Sequence, residues 1–459
     1  MSGLAVLLCG GTGLDARSLA GAGAAVEVID DLCSRPDAAA AALRELGASR
    51  VVLGLCDGRP SADLVGALRR AGAEPFGIAA VAVGGRERDE AVRIVSAAAA
   101  RLAALAPGES GRPFVATKGL SRRGLFSVGV AMPHAPVAVL DARACNGVAG
   151  CGLCVEACPA KAISAAGTLP AIDVSACTAC GACVPGCPSG ALRLAGAANA
   201  QVAAQLEALV PGSDVVFACE QAKAEAPPGW ALVELPTLRL VTPGWILQAR
   251  ARGARVRLAP CGGVCCAGAD DVLALAELVL DADAHDGAAA IALDEPRATV
   301  DAVLRLAPAA SVEHAASPLG LLACDDGRCT LCGACAAACP TSALRLVEGV
   351  DATVLQHDPA ACVACARCVT ACPEHALAVA RGIDAARLAA GSAEVVRSAR
   401  EACARCGADL PPRPMRRRLR ELLPELADAP LELCAGCAHR YGSAPLAYDS
   451  ATRAERSST

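Results

Sequence analysis

Four stretches of the 459-residue chain space their cysteines as metal ligands: CNGVAGCGLCVEACP (145–159), CTACGACVPGCP (177–188), CTLCGACAAACP (329–340) and CVACARCVTACP (362–373). The last three read C-x2-C-x2-C-x3-C-P, and the first fits from Cys151 onward, with Cys145 three residues early. Three thiolates at short, equal intervals wrap a loop around one face of a cubic iron–sulfur core. Small residues between them (Gly152, Gly181, Ala182, Gly333, Ala334) let backbone N–H groups approach the sulfurs. Structural zinc instead takes four ligands from two C-x2-C knuckles. The four runs therefore read as 4Fe-4S sites.

In this spacing the fourth cysteine of each run serves the neighbouring cluster. Cys145, Cys151 and Cys154 then pair with Cys187, and Cys177, Cys180 and Cys183 with Cys158. In the second half, Cys329, Cys332 and Cys335 pair with Cys372, and Cys362, Cys365 and Cys368 with Cys339. The arrangement resembles bacterial two-cluster ferredoxins, and the segments AKAISAAGTLPAIDVSA and TSALRLVEGVDATVLQHDPAA between the runs read as short hairpins.

Length and composition bound the elements that must position these loops. The chain is too long for one core, and about three domains is the expectation. Aromatics are 2% of residues, so cores are built from Ala, Val and Leu. A net charge of −5 argues against a nucleic-acid partner. Three lysines against 39 arginines read as base composition, not as a binding signal. No proline-free apolar run approaches the roughly 18 residues of a membrane helix, so no membrane span is expected. Most of the 28 cysteines stand at metal-site spacings, which implies a reducing compartment, most simply a cytoplasmic location.

The expected fold class is α/β plus α+β. Two two-cluster ferredoxin modules (145–195 and 321–381) alternate with two small α/β parallel-sheet domains (1–106 and 196–320). A connector spans 107–144, and a helix with a C-x2-C…C-x2-C tail, zinc-ribbon-like, spans 382–459. In the domain at 196–320, DVVFAC (214–219), WALVEL (230–235) and RVRLAPC (255–261) read as strands. TPGWILQARARGA reads as a helix with Thr242 as cap and Pro243 at its first position. Strand–helix–strand order implies a parallel sheet with Cys219 and Cys261 at strand C-termini, where such sheets place sites.

Within that domain, residues 214–285 resemble the delta subunit of methyl-viologen-reducing hydrogenase. Cys219 after the first strand, the ARARGA helix and the C-x4-C pair Cys261/Cys266 carry the resemblance. Two further cysteines of that family are replaced here, and Cys265 is an addition. The resemblance leaves two readings of Cys219, Cys261, Cys265 and Cys266: a 2Fe-2S site, or a degenerate domain kept for docking. Residues 1–106 resemble the N-terminal domain of the flavin-binding polypeptide of heterodisulfide reductase, on LLCGG, LCSRPD and VVLGLCDGRP with Cys9, Cys33 and Cys56. That resemblance implies an extra cluster with a fourth ligand from elsewhere; three buried structural thiols are the alternative. The family's flavin domain is absent from this chain.

In the tail, Cys403, Cys406, Cys434 and Cys437 form two knuckles, the spacing of a zinc site, with a fifth cubane or bare thiols as alternatives. His439 reads as a surface residue. RPMRRRLRELLPEL between the knuckles reads as an amphipathic helix with a solvated arginine face. In the connector, LSRRGLFSVGVAMPHAP (120–136) has the look of a twin-arginine export signal at Arg122 and Arg123. It follows a patterned domain and is broken by Pro133 and Pro136, so a connector is expected.

Together the motifs imply an electron-transfer subunit with four or more 4Fe-4S clusters, joining a hydrogenase- or dehydrogenase-type donor to a heterodisulfide-reductase-like or other redox acceptor. Redox protein subunits are the expected partners. No Ser-His-Asp or similar catalytic constellation is present. The alternatives are a catalytic subunit of a disulfide or quinone reductase, using an irregular cluster near Cys145, Cys265/Cys266 or Cys324, and an iron–sulfur sensor or scaffold.

Overall fold

Alternation along GLAVLLC sets the first layer. β1 (Gly3–Cys9) sends Ala5, Leu7 and Cys9 to one face and Val6 and Leu8 to the other, all buried, as a strand covered on both sides requires. The computed structural model describes residues 3–57, 60–106, 112–113, 134–148, 151–209, 212–222, 227, 229–263, 266–281, 297–423 and 430–439. In it β1 pairs in parallel with β2 (Ala25–Ile29) and β3 (Ala48–Leu55), and β3 with β4 (Ile78–Ala82), in the order β2-β1-β3-β4. α1 (Pro36–Glu45) and α2 (Ala62–Arg70) cover one face through Ala39, Leu43, Leu64 and Leu68. α3 (Arg88–Ala103) covers the other through Val95, Ala98, Ala99 and Leu102.

The chain divides into two compact units, Met1–Gly320 with Arg381–Ala389, and Leu321–Ala380 with Ala390–Thr459. In the first unit the α/β layer is followed by β5 (Arg112–Pro113) and β6 (His134–Ala135), paired antiparallel. The Arg122–Arg123 stretch lies outside the described residues, as does Cys265. β7 (Ala138–Leu140) precedes the first cysteine run, and α4 (Leu153–Ala157) lies within it. The segment between the runs folds back as a hairpin of β8 (Ile163–Ser164) and β9 (Ala171–Ile172). β10 (Leu192–Leu194) then returns to pair antiparallel with β7, which closes the module.

After α5 (Asn199–Glu207) comes a second parallel sheet. It consists of β11 (Asp214–Cys219) between β12 (Trp230–Leu235) and β13 (Val256–Ala259). α6 (Pro243–Ala251) starts where Thr242 Oγ1 accepts from the Trp245 N–H at 3.3 Å, with proline at the first position. Its Trp245 is 1% exposed and stacks on Phe217 of β11, centroids 6.2 Å apart. In a chain so poor in aromatics, this pair is the main large-side-chain anchor of helix to sheet. α7 (Ala269–Asp281) and α8 (Arg297–Leu306) follow, then β14 (Ser311–Glu313), which pairs antiparallel with residues 382–384.

In the second unit β15 (Gly320–Cys324) leads into the third cysteine run, which contains α9 (Ala334–Ala337). β16 (Leu344–Glu348) and β17 (Ala352–His357) form an antiparallel hairpin, and α10 (Arg367–Ala371) lies in the fourth run. β18 (Leu377–Asp384) follows and takes the place beside β15. After α11 (Ala385–Ala390), which lies almost wholly in the stretch that belongs to the first unit, β19 (Ala393–Ala399) adds a third strand to the hairpin by pairing antiparallel with β17. The expected tail is thus tied into the second module through β19.

Two tail expectations need correction. The second C-x2-C does not sit in a hairpin as in a zinc ribbon: Cys434 immediately precedes the short helix α13 (Ala435–His439), whereas the first knuckle turns between the bridged residues Ala402 and Asp409. The arginine face of α12 (Arg413–Leu422) is not simply solvated. Arg416 is buried, and its guanidinium donates to Glu401 at 2.5 Å and to the Pro411 carbonyl at 2.9 Å, while Arg418 pairs with Glu374 at 2.9 Å. An arginine whose charge is met by carboxylate and carbonyl can serve as packing. Among the described residues no helix is long and apolar enough to cross a membrane.

Candidate metal centres

The four cysteine runs converge in quartets that mix runs. Cys145, Cys151 and Cys154 line one hollow together with Cys187. Cys329, Cys332 and Cys335 line another with Cys372, and Cys339 joins Cys362, Cys365 and Cys368 around a third. Each of the three hollows is lined by four cysteines and by leucine side chains, which suits one kind of occupant. Cys183 feels Cys177, Cys180 and Cys158, the fourth mixed set.

The backbone explains how the loops curl. Among the described residues eight non-glycine positions have positive φ, and seven lie in or just after the cysteine runs: Lys161, Ala179, Leu331, Ser342, Ala364, Ala366 and His375. Glycines 147, 152, 181, 190 and 333 take the equivalent positions with φ between +64° and +79°. Left-handed residues flank the second cysteine of a run, and another follows the fourth cysteine by three residues. Such turns aim N–H groups at sulfur: Ala162 N–H donates to Cys158 Sγ at 3.3 Å, Ala376 N–H to Cys372 Sγ at 3.4 Å, and Gly147 N–H to Cys145 Sγ at 3.4 Å. Backbone held in a strained region at sites of this kind must be held there by its surroundings. The early Cys145 also has its cause here. Gly147 stands two residues after it, as Ala179 does after Cys177, so the three extra residues enter behind the first turn. Four thiols around a hollow, with N–H donors on the sulfurs, fit a 4Fe-4S cluster.

Without metal these quartets resist ionisation. Burial pushes the Cys183 thiol up to about 12, aided by Cys177, Cys180 and Cys158. Burial, then Cys362, Cys365 and Cys339, takes Cys368 to about 12. Burial, then chiefly Cys329, takes Cys335 to about 11. A thiol raised in the folded state contributes stability that is fully present below its ordinary pKa and is lost as pH rises through the folded value. The metal-stripped chain is therefore expected to lose its modules progressively between about pH 9 and pH 12, while the loaded chain, its thiolates already metal-bound, keeps them. Far-UV circular dichroism titrations of both forms check this. Identical alkaline profiles would contradict it.

A fifth thiol stands beside the third quartet. Cys324, the last residue of β15, contacts the Cys329 thiol, and burial followed by Cys329 raises it to about 12. The sequence marks Cys324 as a cysteine outside the repeated runs, and the structure adds which quartet it stands against.

Both α/β domains place three cysteines at the same topological point. In each sheet the first strand lies between the second and third, and the C-terminal ends of the first and third strands mark the switch in strand order where ligands bind in such folds. Cys9 ends β1 and Cys56 directly follows β3, with Cys33 in the turn after β2. Burial disfavours the Cys9 thiolate, but the N–H groups of Gly11 and Leu32 and the thiols of Cys56 and Cys33 outweigh it, and its pKa is lowered. The bond from Cys9, then burial, raises Cys56 to about 11. Gly11, in the turn after β1, makes room for this group: a Cβ there would stand 3.1 Å from Cys56 Sγ.

In the second sheet Cys219 ends β11, and Cys261 and Cys266 follow β13, with all three sulfurs within 4.8 Å of one another. This trio has a neighbour in the ferredoxin module. Cys219 Sγ lies 3.8 Å from the Pro236 carbonyl, and Thr237 Oγ1 donates to the Cys180 carbonyl at 3.4 Å.

In the tail, Cys403, Cys406, Cys434 and Cys437 bring their sulfurs within 4.8 Å of one another, with Cys406 and Cys434 3.7 Å apart. A tetrahedral ion with bonds of about 2.3 Å sets its sulfurs about 3.8 Å apart, so this quartet fits one zinc. Burial opposes ionisation of Cys403, but the N–H groups of Cys434, Cys406 and Arg405 and the Cys406 thiol bring it down to about 6. Desolvation and the bonds from Cys434, Cys406 and Cys403 hold Cys437 up at about 12. One sulfur is thus ready to bind as thiolate, and the others give up protons as metal enters.

The family of 4Fe-4S dicluster domains matches the chain twice, at residues 144–191 and 328–376. No curated protein matches the chain in sequence.

Proposed function

We propose, from two dicluster domains in one chain, that the protein is an electron relay carrying four 4Fe-4S clusters. Cys145, Cys151, Cys154 and Cys187 would hold the first, and Cys177, Cys180, Cys183 and Cys158 the second. Cys329, Cys332, Cys335 and Cys372 would hold the third, and Cys362, Cys365, Cys368 and Cys339 the fourth. The observation that carries the reading is the mixing of runs within each quartet. Each cluster is built by two runs and shares both with its neighbour, which keeps the pair close enough for transfer inside a module. A 4Fe-4S centre supplies one-electron chemistry, with a potential set by the hydrogen bonds and burial around its sulfurs. The N–H donors on Cys145, Cys158 and Cys372 are this chain's means of setting it. Donor and acceptor are redox protein subunits in this reading, of the hydrogenase or dehydrogenase and heterodisulfide-reductase kinds that the resemblances imply.

Anaerobically purified protein should contain about 16 iron atoms in cubane clusters. Stepwise reduction should take up about four electrons, one per cluster, and produce paramagnetic resonance signals broadened by coupling within each pair. Iron near eight atoms per chain would overturn the reading.

Cys324 favours one second reading, a catalytic subunit of a disulfide or quinone reductase in which an irregular third cluster does the chemistry. Cys324→Ser separates the two. A relay keeps its resonance signals and electron uptake after the substitution, whereas a catalyst at that cluster loses turnover.

A further inference from the structure

We infer that Cys219, Cys261 and Cys266 hold a single zinc-class metal ion, not the two-iron cluster that the hydrogenase-subunit resemblance implies. The spacing of the sulfurs decides between them. Among the described residues, two cysteine groups bring all their ligand atoms within 4.8 Å of one another: this trio and the tail quartet. The Cys261 and Cys266 sulfurs are 3.6 Å apart, close to the roughly 3.8 Å edge that a tetrahedral zinc–thiolate site requires.

A 2Fe-2S core takes four cysteines, two on each iron. At least one sulfur of any three must then stand across the core from the other two. Here all three converge on one point, so they serve one metal atom.

The local structure supports a bound cation. Cys219 and Cys266 are 1% and 8% exposed, and Cys261 stands at the half-buried lip. Buried thiolates need a compensating charge. The chain after β13 turns as a knuckle: Gly263 N–H donates to Cys261 Sγ at 3.4 Å, and Cys266 N–H donates to the Gly263 carbonyl at 3.0 Å. Gly262 has φ +77°, which opens the turn. Soft thiolate donors select zinc over magnesium, calcium or manganese. Binding displaces the thiol protons, including that of Cys219, which lies toward the Pro236 carbonyl in the metal-free geometry. Three protein sulfurs leave the fourth tetrahedral position to a ligand the trio does not supply. Zinc has no redox chemistry, so this domain stands beside the relay without taking part in it.

The test uses the full-length protein, purified anaerobically, with zinc and iron measured by plasma mass spectrometry. About two zinc ions per chain are expected, one in the trio and one in the tail. Cys219→Ser/Cys261→Ser should lower zinc by one and leave iron unchanged. If that double variant fails to fold by circular dichroism, Cys261→Ser alone, at the half-buried lip, gives the same reading. As an independent probe, cobalt(II) loaded into Cys403→Ser/Cys434→Ser protein should show thiolate charge-transfer and tetrahedral d–d absorption that Cys261→Ser abolishes. Loss of two irons with a 2Fe-2S resonance signal, or zinc and cobalt binding unaffected by the substitutions, would overturn the inference. These readings do not depend on electron relay, because a failed relay reading appears as a deficit of cubane iron while the zinc count stands.

Discussion

Replacing Cys187 by alanine is expected to remove about four of about 16 iron atoms, and to take them from the cluster of the other cysteine run. Cys187 belongs by sequence to the run of Cys177, Cys180 and Cys183, yet it lines the hollow of Cys145, Cys151 and Cys154. The thiol of Cys154 is raised first by burial and next by Cys187. A cubane with one ligand missing at a half-buried site loses iron to solvent. The cluster of Cys158, Cys177, Cys180 and Cys183 keeps all its sulfurs and should keep its resonance signal. Iron analysis with paramagnetic resonance on the reduced variant decides the matter. If the signal that disappears is that of the Cys177 run, the quartets are wrongly composed.

The second large effect is expected in the tail. Cys434→Ser should cost one zinc per chain, leave cubane iron undiminished, and release residues 400–423 and 430–439 from their fold. Structural zinc contributes on the order of 10–16 kcal/mol to small folded units at neutral pH, far beyond what this segment's few buried side chains provide. Cys434 holds the two knuckles together: its N–H donates to Cys403 Sγ at 3.3 Å, and Ala404 N–H donates to the Glu432 carbonyl at 2.8 Å. Hydrogen exchange over 400–423 and 430–439 should rise by orders of magnitude in the variant, while β16 and β17 stay protected. Iron bound at the tail in place of zinc would refute the assignment.

The parts of this architecture that follow from short-range pattern were legible in the sequence. The four runs announced their chemistry by spacing. The buried strand GLAVLLC and the Thr242–Pro243 helix start needed only local rules. What escaped were relations set by distance in space. Cys324 stands out in the sequence as a cysteine outside the regular runs, but its contact with the Cys329 thiol depends on the path of β15 into the third run. Arg416 looked like one of several solvated arginines, because Glu401, which buries its charge, lies on the far side of a knuckle. The left-handed residues Leu331, Ala364 and Ala366 carry side chains that ordinarily avoid that conformation, and only the closure of the loop around its four sulfurs forces it. The trio Cys219, Cys261 and Cys266 was visible as a set, but which metal it suits depends on sulfur separations that spacing does not encode.

The division of the chain has a consequence for how the protein is made. The first unit is interrupted at Gly320 and finished by Arg381–Ala389, so the third and fourth cysteine runs are synthesised inside an incomplete host. At translation rates of about 5–20 residues per second, roughly 3–14 seconds pass between residue 320 and residue 389. Throughout that interval β14 waits for residues 382–384, its antiparallel partner. The thiols of both runs leave the ribosome during the same wait. The sheet edge of β14 and the thiols of both runs therefore stand uncovered over the same stretch of synthesis.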